Sequence, residues 1–352
     1  MDDLAKEFAR IIRAASGRGD TLYLRGSGSK AFYGPPCAAA AMDVTGYHGI
    51  VQYEPTELVI TARAGTTLAE VETTLAERGQ MFAFEPPRFG PGATVGGCVA
   101  TGLSGPRRAY AGAVRDFVLG IRMIDGRGTD LSFGGQVMKN VAGFDLSRLA
   151  VGSLGTLGLL LEMSFKVLPR PPEEVTLRFE MDEREAIEAM NRWAGSPLPL
   201  SATCHRAGRL TLRLSGAAAA LASARAKLGG ERVEDGPAYW TAVREQALDF
   251  FARPKPLWRL SVKSTTPPLG LMGEQLIEWG GALRWLASDL PAEVVRIAAT
   301  NAGGHATLFR ARGSAGPVFH PLSPPLLALH QRLKRAFDPH GVLNPGRMFP
   351  DA

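Results

Sequence analysis

Short strands alternating with helices, glycine-rich corners crowded into the first half, and a change of composition near residue 170 predict an α+β chain of two domains. The 352 residues are 45% apolar, enough for more than one core, since single cores stop growing near ~250 residues. The 41 glycines concentrate between Gly26 and Gly158 without a collagen-like period, which marks a region that needs bare backbone. Beyond 170 glycine thins out and the elements become more regular.

Leu4, Phe8, Ile11 and Ile12 recur at helical spacing and end at Gly17, so the chain opens with an amphipathic helix. Short strands follow at 21–24, 42–45, 51–53 and 58–62, each bounded by turn residues. Thr66 or Thr67 caps a helix through Leu68, Val71 and Leu75 that stops at Gly79, and 81–84 is a further strand. Residues 85–112 form a Pro/Gly loop too long to be a passive connection, which points to binding. The Asp125-Gly126 turn joins strands 117–124 and 129–133, because Asp-Gly supplies the positive φ of a primed hairpin turn. Asp145 caps a short helix through Leu149, 159–168 is an apolar strand, and 170–174 reads as a linker. Strand 175–181, helix 183–193, hairpin 202–214 and helix 217–228 then give the order β-α-β-β-α, close to a ferredoxin-like unit. A helix at 239–251, strands at 258–262, 294–300 and 306–311, and a helix at 324–337 complete the chain, with no visible internal repeat.

The net charge of +6 is spread without blocks of like charge, so nucleic acid is not an expected partner, whereas phosphate and carboxylate ligands are compatible. Cys37, Cys98 and Cys204 are an odd number at wide spacings, giving neither a disulfide framework nor a cluster motif, and imply a reducing, cytoplasmic compartment. The acidic N-terminus lacks the cations of a signal peptide and no apolar run approaches ~18 residues, so neither secretion nor a membrane span is expected.

Three segments combine glycine with hydroxyl side chains: Gly26-Ser27-Gly28-Ser29 after a strand, Gly96-Gly97 through Thr101-Gly102 to Ser104-Gly105, and Gly152 through Thr156 to Gly158. Such turns converge N–H donors on a diphosphate without side chains in the way. Any one of them alone is better explained as a tight turn, and three in one domain favour a ligand. None matches GxxxxGK[ST] or opens a long crossover helix as GxGxxG, so neither a P-loop nor a Rossmann site is supported.

The runs LRGSGSK (24–30), PGATVGGCVATGLSGPRRAYAGAVRDFVLGIRMIDGRG (91–128) and KNVAGFDLSRLAVGSLGTLGLLLEMSFKVLPRP (139–171) resemble the FAD-binding fold of the vanillyl-alcohol oxidase and p-cresol methylhydroxylase (PCMH) superfamily. Together with EWGGALRWL (278–286), GGHATLFR (303–310) and DPHGVLNPGRMF (338–349), the chain is similar to the FAD-binding subunits, the E components, of bacterial glycolate oxidase complexes. The resemblance implies a two-subdomain PCMH-type FAD domain over 1–170, an α/β, ferredoxin-like cap over 171–325 covering the isoalloxazine, and a segment 326–352 that returns to the FAD domain. It implies that Gly26, Ser27, Gly28 and Ser29 bind the pyrophosphate, with Lys30 adding charge and Gly96, Gly97, Thr101, Gly102, Ser104 and Gly105 lining it from the other side. It places Asn140, Asp145, Gly152, Thr156, Gly158 and the backbone at Leu159 and Leu160 around the adenosine and ribose, and Asn344, Pro345 and Gly346 near the flavin. Covalent members carry the flavin-linking histidine about where Ser29 stands, so a non-covalent FAD is implied.

Flavin oxidation of a 2-hydroxy acid needs a cation for the carboxylate and a base for the hydroxyl proton. His305, Arg284, Arg310 and Arg259 are candidates, against the plain alternative that strand residues face solvent and that Arg beside Trp is a surface stack. The related catalytic subunits carry a GDGNxH-type strand, whereas Gly303-Gly304-His305-Ala306 has no acid, no Asn and no second His. His320, His330 and His340 are ten residues apart and give no ligand spacing, so no metal is expected. The resemblance implies a sister FAD subunit, a separate iron–sulfur subunit and at most peripheral association with the inner membrane, with glycolate or another small 2-hydroxy acid as substrate. Alternatives are a self-sufficient FAD-dependent D-lactate or 2-hydroxy acid dehydrogenase, and a non-catalytic subunit whose flavin only orders the fold. A GTPase or a nucleotide-sugar enzyme would follow only if no flavin binds.

Overall fold

The computed structural model describes residues 2–135, 146–311 and 316–348. Helix α1 (Asp2–Arg18) buries Phe8, Ala9, Ile12 and Ala15 on one stripe, as its apolar spacing requires. Strand β1 (Leu22–Arg25) follows and pairs in parallel with β2 (Ala40–Asp43). Next come β3 (Ile50–Glu54), β4 (Val59–Arg63) and helix α2 (Leu68–Glu77), whose N-cap Thr67 accepts the Glu70 N–H at 3.1 Å. The neighbouring Thr66 has another task, since its hydroxyl bonds Gly49. After β5 (Gln80–Met81), helix α3 (Val95–Thr101) rises inside the segment that composition marks as a bare loop. Thr94 caps it, and Gly96 is required there because a Cβ would lie 2.8 Å from Ala64 Cβ.

Strands β6 (Val118–Ile124) and β7 (Asp130–Gly134) form the expected hairpin, followed by α4 (Leu146–Ala150), β8 (Leu159–Lys166) and β9 (Leu168–Pro169). The five-stranded antiparallel sheet runs β3-β4-β8-β6-β7. Its core packs Ile60, Phe82, Phe84 and Phe165 under Val71 and Leu75 of α2 and Val99 of α3. Glu173 and Glu174 do not form a linker but begin the next strand.

The second unit is one eight-stranded antiparallel sheet of two similar halves. The first half is β10 (Glu173–Glu180), α5 (Glu183–Ala194), β11 (Leu200–Arg206), β12 (Arg209–Gly216), α6 (Ala218–Leu228) and β13 (Glu231–Arg232). Helix α7 (Gly236–Arg244) leads to β14 (Leu257–Ser261), β15 (Glu274–Glu278), β16 (Leu283–Ala287), α8 (Ala292–Asn301) and β17 (His305–Arg310). The strand order β13-β10-β12-β11-β15-β16-β14-β17 reads 4-1-3-2 inward from either edge, so two ferredoxin-like halves join at β11 and β15. The second half has residues 262–273 where the first has a helix, and no sequence repeat betrays the likeness.

Residues 294–300, expected as a strand, lie in α8. Val295 and Ala299, four apart, bury against Trp258, Leu260 and Leu286, and this packing overrides the β-branched run. Helix α9 (Pro324–Phe337) then carries the chain back, and Leu343 pairs with Leu22 beside β1. Lys334 and Asp338 fasten this return: Lys334 Nζ donates to Asp338 Oδ2 (2.6 Å), Leu343 O (2.7 Å) and Thr156 O (2.8 Å).

Candidate cofactor site

Strand β1 ends at Arg25 and the chain turns through Gly26–Ser29 opposite α3, leaving a groove of about 490 Å³. Tyr23 through Ala31 form one wall, Thr94, Gly97, Ala100 and Thr101 the other, and Leu154, Asn344 and Arg347 close it. A second hollow of about 400 Å³ shares Leu24–Gly26, Gly97, Ala100, Leu154 and Asn344, and adds Gly96, Gly155, Gly158, Leu159 and Leu160. The two adjoin along Leu24–Gly26, Gly97, Ala100, Leu154 and Asn344 and so form one elongated groove.

The wall is bare for a steric reason: a Cβ on Gly26 would sit 2.6 Å from Thr94 Oγ1, and Gly28 holds φ at +78°. Among the described residues the N–H groups of Ser27 and Gly28 meet no protein acceptor, while Ser29 N–H reaches Ser27 Oγ at 3.4 Å. Free donors in a glycine turn suit phosphate oxygens. Lys30 is 6% exposed, its Nζ 3.2 Å from Arg88 O and 3.5 Å from Ser29 Oγ, and burial lowers its pKa. An anion in the groove would restore the charge lost to desolvation. These residues fit FAD's pyrophosphate.

Asn344 holds the floor, its amide donating to Leu154 O and its Oδ1 accepting the Leu24 N–H, both at 2.6 Å. Arg347, which composition and motif reading passed over, is 5% exposed and clamps the segment after the glycine turn. Its Nη1 donates to Ala31 O (3.2 Å), Gly34 O (3.4 Å) and Pro35 O, its Nη2 to Tyr33 O (2.8 Å), and its Nε is buried without a partner. The available signal was a lone cation directly after Asn344-Pro345-Gly346.

Gly26, Ser27, Gly28, Ser29, Lys30, Gly96, Gly97, Thr101, Gly158, Leu159, Leu160 and Asn344 therefore share this groove. Gly152, Thr156 and Gly346 instead line a neighbouring hollow with His330 and Lys334. Gly102, at φ +64°, ends α3, Ser104 Oγ accepts the Val114 N–H at 3.1 Å, and Gly105 packs on the Glu85 carbonyl, so these three shape the loop without lining the groove. Pro345 lines neither hollow. Asn140 and Asp145 lie outside the described residues.

The cationic candidates separate by strand alternation. Arg284 follows Leu283 and precedes Trp285, which face the first domain with Tyr33, Leu103 and Leu154, so its own side chain enters the opposite, helix-covered face. There it is 1% exposed, donates to Gly281 O and Thr266 O at 2.6 Å each, and lies 3.6 Å from Glu183. This corrects the expectation of a substrate contact: Arg284 braces the cap. Arg310 rests over Phe32 (4.7 Å), Phe309 (5.2 Å) and Phe89 (5.5 Å). His305 is exposed at the start of β17 with its ring 6.5 Å from His320, and burial of its inner edge, Arg259 and His320 together lower its pKa. Arg259 projects toward the first domain over Trp279. Glu278, unnoticed in the sequence, is 4% exposed beside it, accepts the Trp285 indole N–H at 2.7 Å, and is pushed by burial to a pKa of about 7. Among the described residues no three His, Cys, Asp or Glu side chains gather as a metal site.

The FAD binding domain family matches residues 4–134, and the C-terminal domain of FAD linked oxidases matches 320–348. Glycolate oxidase subunit GlcE of Escherichia coli (strain K12) is 52% identical over 94% of this chain and 93% of its own length. The chain belongs to the GlcE family. FAD is its cofactor, and the groove described above lies mostly within the matched region. Glycolate oxidase subunit GlcD of Bacillus subtilis (strain 168) is 29% identical over 49% of this chain and 37% of its own. Solved structures of alkyldihydroxyacetonephosphate synthase superpose over 96% of this chain and 74% of theirs at TM-scores of 0.66 and 0.67, with 14% identity, which establishes the shared fold. Among the described residues no helix is long and apolar enough to cross a membrane.

Proposed function

We propose that this chain is the FAD-holding subunit of a complex that oxidises glycolate to glyoxylate, working beside a sister flavosubunit and an iron–sulfur chain. The reading is carried by the 52% identity to GlcE over 94% of the chain, together with a groove whose Ser27 and Gly28 N–H groups await an acceptor. In this reading residues 1–170 hold the cofactor, 171–325 cover it, and 326–352 return to it. Gly26–Lys30 and Arg347 grip the pyrophosphate end, and the hollow at Gly158–Leu160 takes the adenosine. Bound FAD supplies acceptance of the two electrons that leave a 2-hydroxy acid. Ser29 offers no imidazole for attachment, so the cofactor is held by hydrogen bonds and packing alone. Cys98 and Cys204 are buried singly and Cys37 is half-buried, so a cluster relay belongs to another chain, which could meet the membrane peripherally.

Purified chain loaded with FAD is mixed anaerobically with glycolate while flavin absorbance is followed. The expected result is no bleaching until the sister subunits are added. Bleaching by this chain alone would assign it independent dehydrogenase activity, and absorbance that stays constant even with the partners present would leave only a flavin that orders the fold.

A further inference from the structure

We propose that Arg108 and Arg259 form a clamp for the carboxylate of a small 2-hydroxy or 2-oxo acid, built on the Trp279 indole where the two domains meet. Arg108 comes from a short helical turn of the first domain (Arg108–Ala111) and Arg259 from β14 of the cap. Their guanidinium carbons lie 4.3 and 5.2 Å from the centre of the Trp279 ring. That platform is fixed, since Trp279 is 5% exposed and its Nε1 donates to Gly105 O at 3.0 Å.

Neither guanidinium pairs with a carboxylate or donates a hydrogen bond among the described residues, although both arginines are half-buried. Their neighbours at the same junction are paired: Arg107 with Glu85 and Glu174, Arg213 with Glu85, and Arg244 with Glu72 and Glu245. Two like charges sharing one ring repel, and burial and the Arg259 charge together weaken proton binding at Arg108. The acids in range do not supply the missing anion. Asp116 acts on Arg108 only at a distance while its Oδ2 accepts the Ala113 N–H, and the Oε1 of Glu278, which attracts Arg259, accepts the Trp285 indole.

A carboxylate received by the two guanidinium groups beside the indole would offset this excess charge, because planar forks match carboxylate oxygens. A second polar group is at hand. The Tyr110 hydroxyl is buried near Gly280 and lies beside the Thr203 hydroxyl, which itself accepts the Gly280 N–H at 2.9 Å. A hydroxyl or oxo oxygen next to the carboxylate would meet that phenol. This deepens the proposed function, since it gives this subunit its own acid-binding site, and direct binding separates it from turnover.

The test is calorimetric titration of the FAD-loaded full chain with oxamate, an unreactive 2-oxo monocarboxylate. Saturable binding at one site is expected, with R108Q and R259Q each weakening it by about tenfold or more and W279F, which keeps an aromatic face, by less. R108Q changes a half-buried turn residue and R259Q a sheet residue, so loss of folding in the second leaves the first decisive, with FAD affinity as the fold control. No saturable binding, unchanged affinity in a folded R108Q, equal displacement by sulfate, or loss of FAD affinity in parallel with oxamate would each overturn the clamp. Oxamate binding in a complex that fails to oxidise glycolate would retain the clamp and refute the activity instead.

Discussion

Replacing Glu278 with glutamine removes a titration that the fold pushes into the neutral range. Burial moves this carboxyl from 4.5 to about 7, opposed by the bond from Trp285 and the charge of Arg259 and assisted by Glu85. The folded state therefore holds the proton to higher pH than the unfolded chain does. Its contribution to stability is fully present below about 4.5 and is lost as pH rises through about 7. The interval from 4.5 to about 7, at ~1.36 kcal/mol per pH unit, amounts to about 3 kcal/mol. Glutamine keeps an acceptor for the Trp285 indole, which now lies 2.7 Å from the carboxylate, and carries no charge. Urea unfolding of the FAD-saturated wild type and E278Q at pH 5 and pH 8 isolates the effect, because His305, His320 and the other titrating groups are common to both. The variant is expected to gain about 2 to 3 kcal/mol relative to wild type between those pH values. Stability profiles that run parallel from pH 5 to pH 8 would refute the reasoning and place an ionised Glu278 in the fold at acid pH.

Arg347→Ala removes the clamp on Ala31, Tyr33 and Gly34 and is expected to weaken FAD binding by about tenfold or more, read by flavin fluorescence titration; unaltered affinity would remove Arg347 from the site. Asp338→Ala strands the buried Lys334 ammonium and the Val342 and Leu343 N–H groups, with an expected loss of about 3 kcal/mol in urea unfolding, and a loss below about 1 kcal/mol would contradict the pairing. With Ser29 in the glycine turn, acid precipitation is expected to release all the FAD into the supernatant, and yellow colour retained in the pellet would show a covalent bond elsewhere.

The cofactor groove was legible because its chemistry is written in residue types that backbone geometry demands. Gly26, Gly28 and Gly96 stand where a side chain would collide or where φ is positive, and such positions show in any sequence as glycine clusters. The cap was legible as far as periodicity carries. The α5 stripe and the β11–β12 hairpin follow local patterns and α6 shows in its alanine run, whereas α8 was hidden because Val294, Val295 and Ile297 give it a β-branched run. The likeness of the two half-sheets depends on strand order, which no local pattern encodes. Arg284 and Arg259 are 25 residues apart in sequence and chemically alike, and only the register of β14 against β16 sends one toward the helices and the other toward the cofactor domain. Arg347 and Glu278 escaped for a related reason: a single charged residue gains meaning from burial, and burial belongs to the folded chain.

The clamp draws one arginine from each domain, so its geometry depends on what fixes the cap, and Glu85 is the residue placed to do so. It sits at φ +46°, its carboxylate accepts from Arg107 Nε at 3.2 Å and from the cap's Arg213 Nη2 at 2.8 Å, and Arg107 reaches on to Glu174 at 2.5 Å. Both arginine side chains are under one-tenth exposed. Glu85→Gln leaves them sharing Glu174 alone, a buried charge imbalance worth about 3 kcal/mol at the junction. The groove at Gly26–Lys30 involves neither arginine, so FAD affinity is expected to stay within a few-fold of wild type while oxamate affinity falls. Hydrogen exchange at β10 and β12 is expected to rise in the same variant, since the ion pairs tie those strands to the loop at Glu85. Oxamate affinity that survives E85Q with faster exchange at the junction would mean that Arg108 and Arg259 do not need a fixed cap to act together, and the clamp would then have to be assigned to one domain alone.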